Sequence, residues 1–212
     1  MTVGTKSLLY GVHQFLLHPF FVATAWWQLY GWRRVTMCTD SECRICRART
    51  TSLRDWRLWA GFFLHDMGYW GSPDMDGTQG EQHPIRGAQV AAHRLRGGPE
   101  WLYFMACHSR FLAKQLGHRP SPLCMADKLS MALYPEWLYL VFANATGEIH
   151  EYMRDAKKNL AKNGAYADDV TGQREWFRRV KEYVRAYVAE HKDGKADGWT
   201  TDRKTGSSGV WQ

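Results

Sequence analysis

Apolar side chains recur at intervals of three and four residues along most of this chain, and this spacing constrains the fold more than any other feature. After Ser52, for example, such intervals connect Trp56, Trp59, Phe62 and Phe63. Residues spaced in this way share one face of an α-helix. The sequence shows no internal repeat and no convincing pair of alternating strands. The pattern therefore predicts an all-α fold, a compact single-domain helical bundle.

Glycine, proline and capping residues divide this pattern into separate helices. The predicted helices span residues 8–17, 18–31, 52–65, 84–96, 100–116, 121–134, 136–162 with an interruption near Gly147, and 171–192. A polar loop is predicted for 33–51. The bundle is expected to occupy 1–192, with the Gly-, Ser- and Thr-rich segment 193–212 as a disordered tail.

Length and charge limit the classes of protein to consider. A chain of 212 residues suits one domain, and its formal charge of +7 suits an anionic partner. No segment reaches the ~18–20 apolar residues of a membrane span. The N-terminus lacks a secretory signal pattern, and the five cysteines do not have the spacing of a disulfide scaffold. We therefore expect a cytoplasmic protein without a membrane partner.

Several side chains that can bind metal stand in or beside these apolar helical stripes. They are His18, His65, Asp66, His83, His108 and Asp127. Burying an unpaired carboxylate costs several kcal/mol, so Asp66 and Asp127 require a cation or strong hydrogen bonds. Four imidazoles and two carboxylates from successive helices predict one or two divalent metal ions.

The order and local context of these six residues resemble the HD superfamily of metal-dependent phosphohydrolases. The similar segments are HPFFVA (18–23), LHDMGYW (64–70), HPIRGA (83–88) and ADKLS (126–130). The resemblance covers a motif core at 18–130, with the C-terminal helices 136–192 outside it. A single His–Asp dipeptide would be a weak signal, whereas six ligands in order with their contexts are specific.

The resemblance implies a role for each of these residues. One metal would be held by His18, His65, Asp66 and Asp127, and a second, bridged by Asp66, would be held by His83 and His108. The metals would be manganese, cobalt, iron, zinc or magnesium. Catalytic roles fall to Asp66, His83 and His108, beside a metal-activated water. The implied activity is hydrolysis of a phosphate ester or anhydride in a small anionic metabolite, preferably a nucleotide or deoxynucleotide.

Substrate-binding residues are predicted from their positions beside the ligands. Arg110 and Lys128 are expected to neutralise phosphate, with solvated surface charge as the alternative. After His65–Asp66, many two-metal members carry Gly-Lys or Gly-His, whereas this chain has Met67 and Gly68 followed by the aromatic pair Tyr69 and Trp70. They could stack on a base, although packing is the more general role of aromatic residues.

The sequence does not decide the roles of several other residues near the motif. His13 rivals His18 as the first ligand, and we prefer His18. One of Asp74, Asp76 and Glu81 could donate a proton, although the two aspartates suit turn formation.

Two other functions share these sequence features. A di-iron oxygenase of the HD type would use the same six ligands. A non-catalytic module that binds nucleotides or nucleic acid is the second alternative, and the intact ligand set argues against it. Nucleic acid is therefore a partner we do not favour, and the oligomeric state stays open.

Cys38, Cys43 and Cys46 could hold a structural zinc ion, but the sequence offers no evident fourth ligand nearby. We therefore predict ordinary reduced thiols. Cys43→Ser should leave the zinc content of the purified protein unchanged when it is measured by elemental analysis against wild type. A loss of about one zinc ion per chain would instead show a thiolate site.

Overall fold

The computed structural model describes residues 1–38, 49–77, 79–154 and 172–195, and these ranges form an all-α fold as predicted. The helices, numbered in chain order, are α1 (Val3–Tyr10), α2 (His18–Tyr30), α3 (Trp56–Leu64), α4 (Pro84–Gln89), α5 (Gly98–Ala106), α6 (Arg110–Gln115), α7 (Pro122–Leu133), α8 (Glu136–Thr146), α9 (148–154) and α10 (Gln173–His191). Val90–Arg94 continues α4 as a π-helical turn.

A short strand pair lies beside the helices, where the sequence predicted only a loop. Strands β1 (Val35–Thr36) and β2 (Thr50–Thr51) pair antiparallel, with Val35 opposite Thr51. The expectation of no strand pair is therefore wrong. Two residues per strand give too little periodicity for a sequence pattern to detect.

The bounds of helices α1 and α3 differ from those that the sequence predicted. The segment 8–17 is not one helix, because α1 ends at Tyr10 and Gly11 turns the chain away. A Cβ atom at Gly11 would lie 2.8 Å from Oε1 of Glu148, so this turn packs closely against a buried carboxylate. Helix α3 starts at Trp56 rather than Ser52, because Oδ1 of Asp55 accepts the Arg57 N–H at 3.0 Å and caps it.

The predicted helix 100–116 is two helices. Helix α5 ends at Ala106 and α6 begins at Arg110. Ser109 caps α6, because its Oγ accepts the Leu112 N–H at 3.3 Å. A serine that bonds nearby backbone in this way competes with the helix. His108 therefore lies in a break between helices rather than on a helical face.

The remaining helix predictions are confirmed within a few residues. Pro19 occupies the first turn of α2, and Gly147 separates α8 from α9 with a φ of 84°. Helix α10 starts at Gln173 rather than at residue 171. The predicted tail from 196 onward, the helix beyond 154, and Cys43 and Cys46 lie outside the described residues.

Two aromatic clusters form most of the core. The larger joins α2, α3, α5 and α7 around Trp26, Phe62 and Phe104, all at most 1% exposed. The other packs Tyr139 of α8 on Phe177 of α10, with ring centroids 3.9 Å apart. Nowhere in the described ranges is a helix both long enough and apolar enough to cross a membrane.

Helix α4 approaches the end of α3 so closely that a side chain is excluded there. A Cβ atom at Gly87 would lie 2.0 Å from the carbonyl oxygen of Leu64, which precedes His65. We expect Gly87→Ala to lower the free energy of unfolding by at least ~2 kcal/mol, because the backbones must separate. Urea denaturation measures this loss.

The matched control is Gly172→Ala. Nothing lies within 4 Å of a Cβ atom at Gly172, where the backbone is extended with a φ of −128°. This variant should unfold at the same urea concentration as wild type. Equal stability of Gly87→Ala and wild type would contradict the close approach of the two helices.

Candidate metal centre

Most of the candidate ligands lie at the end of a helix or in a break between two helices. His18 is the first residue of α2, and His65 and Asp66 directly follow α3. His83 precedes α4, and His108 lies between α5 and α6. Asp127 comes from within α7. The chain direction changes at each helix end, so consecutive residues such as His65 and Asp66 can turn toward the same point.

Four of the six side chains form a first group, His18, His65, Asp66 and Asp127, whose ligand atoms all lie within 4.8 Å of one another. Nε2 of His18 is 3.2 Å from both Oδ2 of Asp66 and Oδ1 of Asp127. Nε2 of His65 is 3.1 Å from the same Asp66 oxygen. Two imidazoles and two carboxylates therefore converge on one small volume.

A second group consists of Asp66, His83 and His108. The other oxygen of Asp66, Oδ1, is 3.5 Å from Nε2 of His83 and 3.7 Å from Nε2 of His108. The two oxygens of Asp66 thus face different groups, which is the arrangement of a bridging carboxylate. The structure brings together all six side chains that the sequence proposed, in the same two sets.

The tautomers of three histidines follow from their backbone contacts. Nδ1 of His65 is 2.9 Å from the Phe62 carbonyl oxygen, and those of His83 and His108 are each 2.6 Å from carbonyls three residues earlier. A carbonyl oxygen only accepts, so Nδ1 carries the hydrogen in each ring. In a neutral ring, Nε2 then offers a lone pair to a ligand. Metal-binding histidines are commonly oriented in this way.

A close contact between two imidazole nitrogens indicates whether these residues fit a metal ion. Nε2 of His83 and Nε2 of His108 are 3.0 Å apart. When both rings are neutral, two lone pairs face each other at this distance and repel, and a cation between them removes the repulsion. Oδ2 of Asp66 is also buried and faces Nε2 of His18 and Nε2 of His65 at 3.2 and 3.1 Å. Both observations fit a bound cation.

The spacing of the ligand atoms agrees with the size of a divalent ion. Metal–nitrogen and metal–oxygen bonds of about 2.0–2.2 Å place neighbouring ligand atoms roughly 3–3.5 Å apart. The closest contacts between ligand atoms in the two groups run from 3.0 to 3.7 Å, and all ligand atoms of a group lie within 4.8 Å of one another. Mixed imidazole and carboxylate ligands suit zinc, iron, cobalt or manganese better than calcium, which prefers oxygen alone.

Charges within the cluster set its protonation. Burial opposes ionisation of Asp66 and Asp127, but the surrounding histidines hold the pKa of both carboxyls well below its usual range. Burial likewise opposes a charge on His65, yet the two aspartates raise its pKa to about 10. Burial and neighbouring His108 lower the pKa of His83 to about 3. At neutral pH, His65 is protonated and His83 is neutral.

Arg110 and Lys128, the two residues predicted to neutralise phosphate, share an aromatic neighbour that the sequence did not predict. Cζ of Arg110 is 4.9 Å from the ring centre of Tyr187, and Nζ of Lys128 is 5.9 Å from it. Tyr187 belongs to α10. The amphipathic pattern of that helix predicted an inner aromatic face but could not show what it covers.

The acidic residues of the loop before His83 differ in their surroundings. Oδ1 of Asp74 accepts the Gly80 N–H at 2.7 Å, so Asp74 shapes the turn, as favoured from sequence. Glu81 instead receives a hydrogen bond of 3.3 Å from Oγ of Ser109, next to His108. Burial raises the pKa of Glu81, although Lys128 and Arg110 act against that rise.

The aromatic pair after Asp66 divides into a buried and an exposed ring. Tyr69 is 6% exposed and stacks on His83, with ring centroids 4.0 Å apart. Trp70 is 53% exposed. His13, the rival first ligand, is absent from both described ligand groups and lies with its ring 5.3 Å from that of His18. The preference for His18 therefore agrees with the geometry.

Cation binding should displace a proton from this cluster. His65 is protonated at pH 7 in the absence of metal, and a ligand must offer a lone pair, so we expect release of about one proton per cation bound to the first group. The affinity should consequently rise with pH up to about 10, where His65 loses the proton unaided. Titration calorimetry in buffers of different ionisation enthalpy measures the release.

Two variants control this titration. Asp66→Asn should abolish binding to both groups, because each loses its shared ligand. His93→Ala replaces an exposed histidine, so this variant should bind the cation and release protons like wild type. Binding whose enthalpy is independent of the buffer would contradict the expected proton release.

Comparison of the chain with protein-family models, curated proteins and solved structures finds no match. The helical fold and its buried histidine–aspartate cluster are compatible with an HD-type domain. The geometry shows a cluster able to hold a divalent metal ion.

Proposed function

We propose that this protein is a metal-dependent phosphohydrolase of the HD type. Its proposed substrate is a phosphate ester or anhydride of a small anionic metabolite, preferably a nucleotide or deoxynucleotide. The observation that carries the proposal is the placement of Asp66, which turns one oxygen toward each histidine-containing group. Two adjacent cation positions that share a carboxylate suit phosphoryl chemistry.

The six ligands would hold the metal ions, and backbone hydrogen bonds orient three of the histidines toward them. Backbone carbonyls fix Nδ1 of His65, His83 and His108, so that Nε2 of each ring points into the cluster. A divalent cation bound there supplies an acidified water molecule and positive charge for phosphate oxygens. The buried walls limit access of bulk water, which strengthens electrostatic interactions inside.

Arg110 and Lys128 support a phosphate-bearing substrate. Lys128 directly follows Asp127 in sequence, Arg110 lies two residues after His108, and both contact the same ring of Tyr187. Their charges would attract an anion to the side of the cluster where Glu81 and Ser109 lie. Glu81 is the acidic residue of the preceding loop that we propose as a proton donor to the leaving group, since Ser109 orients its carboxyl group.

The organic part of the substrate has a candidate partner in Trp70. Its exposed ring follows the His65–Asp66 segment and offers a face for a base. Tyr69 is not proposed for this role, because His83 already covers its ring. We therefore restrict the proposed base-stacking residue to Trp70.

A phosphate-release assay tests the proposed activity. The metal-loaded protein is incubated with nucleotides, deoxynucleotides, sugar phosphates and phosphodiesters in the presence of manganese, cobalt, iron, zinc or magnesium. We expect turnover of at least one nucleotide, and a loss of more than ~100-fold in His65→Ala and in Asp66→Ala, because each removes a ligand. His93→Ala should keep the wild-type rate.

Other outcomes of the assay assign other functions. No phosphate release across the panel, from protein shown to contain metal, would contradict the proposal. Oxygen uptake by the iron(II)-loaded protein would assign it to the oxygenases instead. Nucleotide binding without turnover, unchanged in Asp66→Ala, would indicate a binding module.

A further inference from the structure

His18 differs from the other histidines of the cluster in how its ring is held. His65, His83 and His108 each donate from Nδ1 to a backbone carbonyl three residues earlier. Nδ1 of His18 is buried and makes no hydrogen bond within the described part of the chain. A metal-binding imidazole generally needs a second partner to fix its orientation. The orientation of His18 must therefore depend on the rings that contact it.

His13 contacts the metal cluster at two points. Its ring meets that of His18 edge to face, with centroids 5.3 Å apart and an interplanar angle of 61°. It also lies 5.1 Å from the ring of Tyr69. Tyr69 in turn stacks on His83, with an angle of 13° between the planes. One imidazole thus contacts a ligand of the first group directly and a ligand of the second group through Tyr69.

Ser7 and Glu148 fix the ring of His13. Oγ of Ser7 donates to Oε2 of Glu148 at 2.8 Å, so the serine accepts the hydrogen of Nδ1 of His13, 2.9 Å away. The same carboxylate oxygen is 3.6 Å from that nitrogen. This chain of two hydrogen bonds sets the plane of the His13 ring.

Glu148 is rigidly placed, because its carboxylate is fully buried and has several donors. Besides Ser7, it accepts hydrogen bonds from the Val12 N–H at 3.0 Å, the Thr146 hydroxyl at 2.9 Å and the Tyr152 hydroxyl at 3.2 Å. A carboxylate buried at such a desolvation cost needs this full set of partners. It therefore provides a fixed point from which a neighbouring ring can be oriented.

We infer that His13, held by Ser7 and Glu148, is a positioning residue for both metal groups. It sets the ring plane of His18 directly and that of His83 through Tyr69. This inference rests on the proposed function only in that both groups bind cations. It adds residues that act on the metals without being ligands, namely His13, Ser7, Glu148 and Tyr69.

Stepwise metal affinity tests this role without any measurement of activity. Cobalt(II) is titrated into the full chain while its visible absorption is recorded, because the bands report the geometry around the ion. His108→Ala serves as the background that leaves the first group, and the double variant His18→Ala/Asp127→Ala as the background that leaves the second. We expect His13→Ala to weaken cobalt binding ~10- to 100-fold in both backgrounds and to shift the absorption bands. Glu148→Gln should weaken it in the same direction.

Substitutions of Tyr69 separate the two branches of the network. Tyr69→Leu should weaken cobalt binding ~10-fold in the His18→Ala/Asp127→Ala background, where the second group alone keeps three ligands. It should leave the first group unchanged in the His108→Ala background. Tyr69→Phe keeps the stacked ring and should restore wild-type affinity. Ile149→Ala, which opens a cavity in the core beside Glu148, is the control for general destabilisation and should leave the affinity and the spectrum unchanged.

The outcomes distinguish this inference from the proposed function. Wild-type protein that binds no divalent cation would overturn the proposed function. Wild-type binding together with unchanged affinity and absorption in His13→Ala and Glu148→Gln would overturn only the positioning role. An equal loss of affinity in Ile149→Ala would also overturn it, because the effect would then follow stability rather than ring contacts.

Discussion

The charge of Asp66 is the constraint on which the rest of the site depends. Its side chain is only 6% exposed, so water cannot compensate the carboxylate. In the absence of metal, a protonated His65 supplies the counter-charge, which is why burial fails to lower the pKa of that imidazole. A divalent cation can replace this proton and also resolve the contact between the Nε2 atoms of His83 and His108. The cluster can therefore exchange a proton for a divalent metal ion.

Close backbone packing delivers the ligands to this point. A Cβ atom at Gly68 would lie 2.0 Å from the carbonyl oxygen of His83. A Cβ atom at Gly87 would lie 2.0 Å from the carbonyl oxygen of Leu64. These two glycines let the His65–Asp66 segment lie directly against the start of α4. Because the ligands come from helix ends held by an aromatic core, their separations are set by packing. A shift of the α3 end relative to α4 would separate the two groups.

The sequence could predict the ligand set but not the network that supports it. Asp66 and Asp127 stand out because a charged residue interrupts an apolar stripe, which is a local signal. The break at His108 was missed, since apolar spacing continues across it and Ser109 is an ordinary residue within a helix. The pairing of Ser7 with Glu148 joins positions 141 residues apart, and no periodicity reports such a contact. Local patterns thus reveal what a helix face contains but not which distant residue meets it.

The ligands of the cluster are unequally covered. His13 and Tyr69 pack their rings against His18 and His83, and Ser7 and Glu148 in turn hold His13. The side chain of Asp127 is 25% exposed, whereas those of the remaining ligands are at most 10% exposed. The positive charges of Lys128 and Arg110 act on Glu81, which Ser109 joins to the break that contains His108. These charges offset part of the repulsion that Asp66 and Asp127 would exert on an approaching anion.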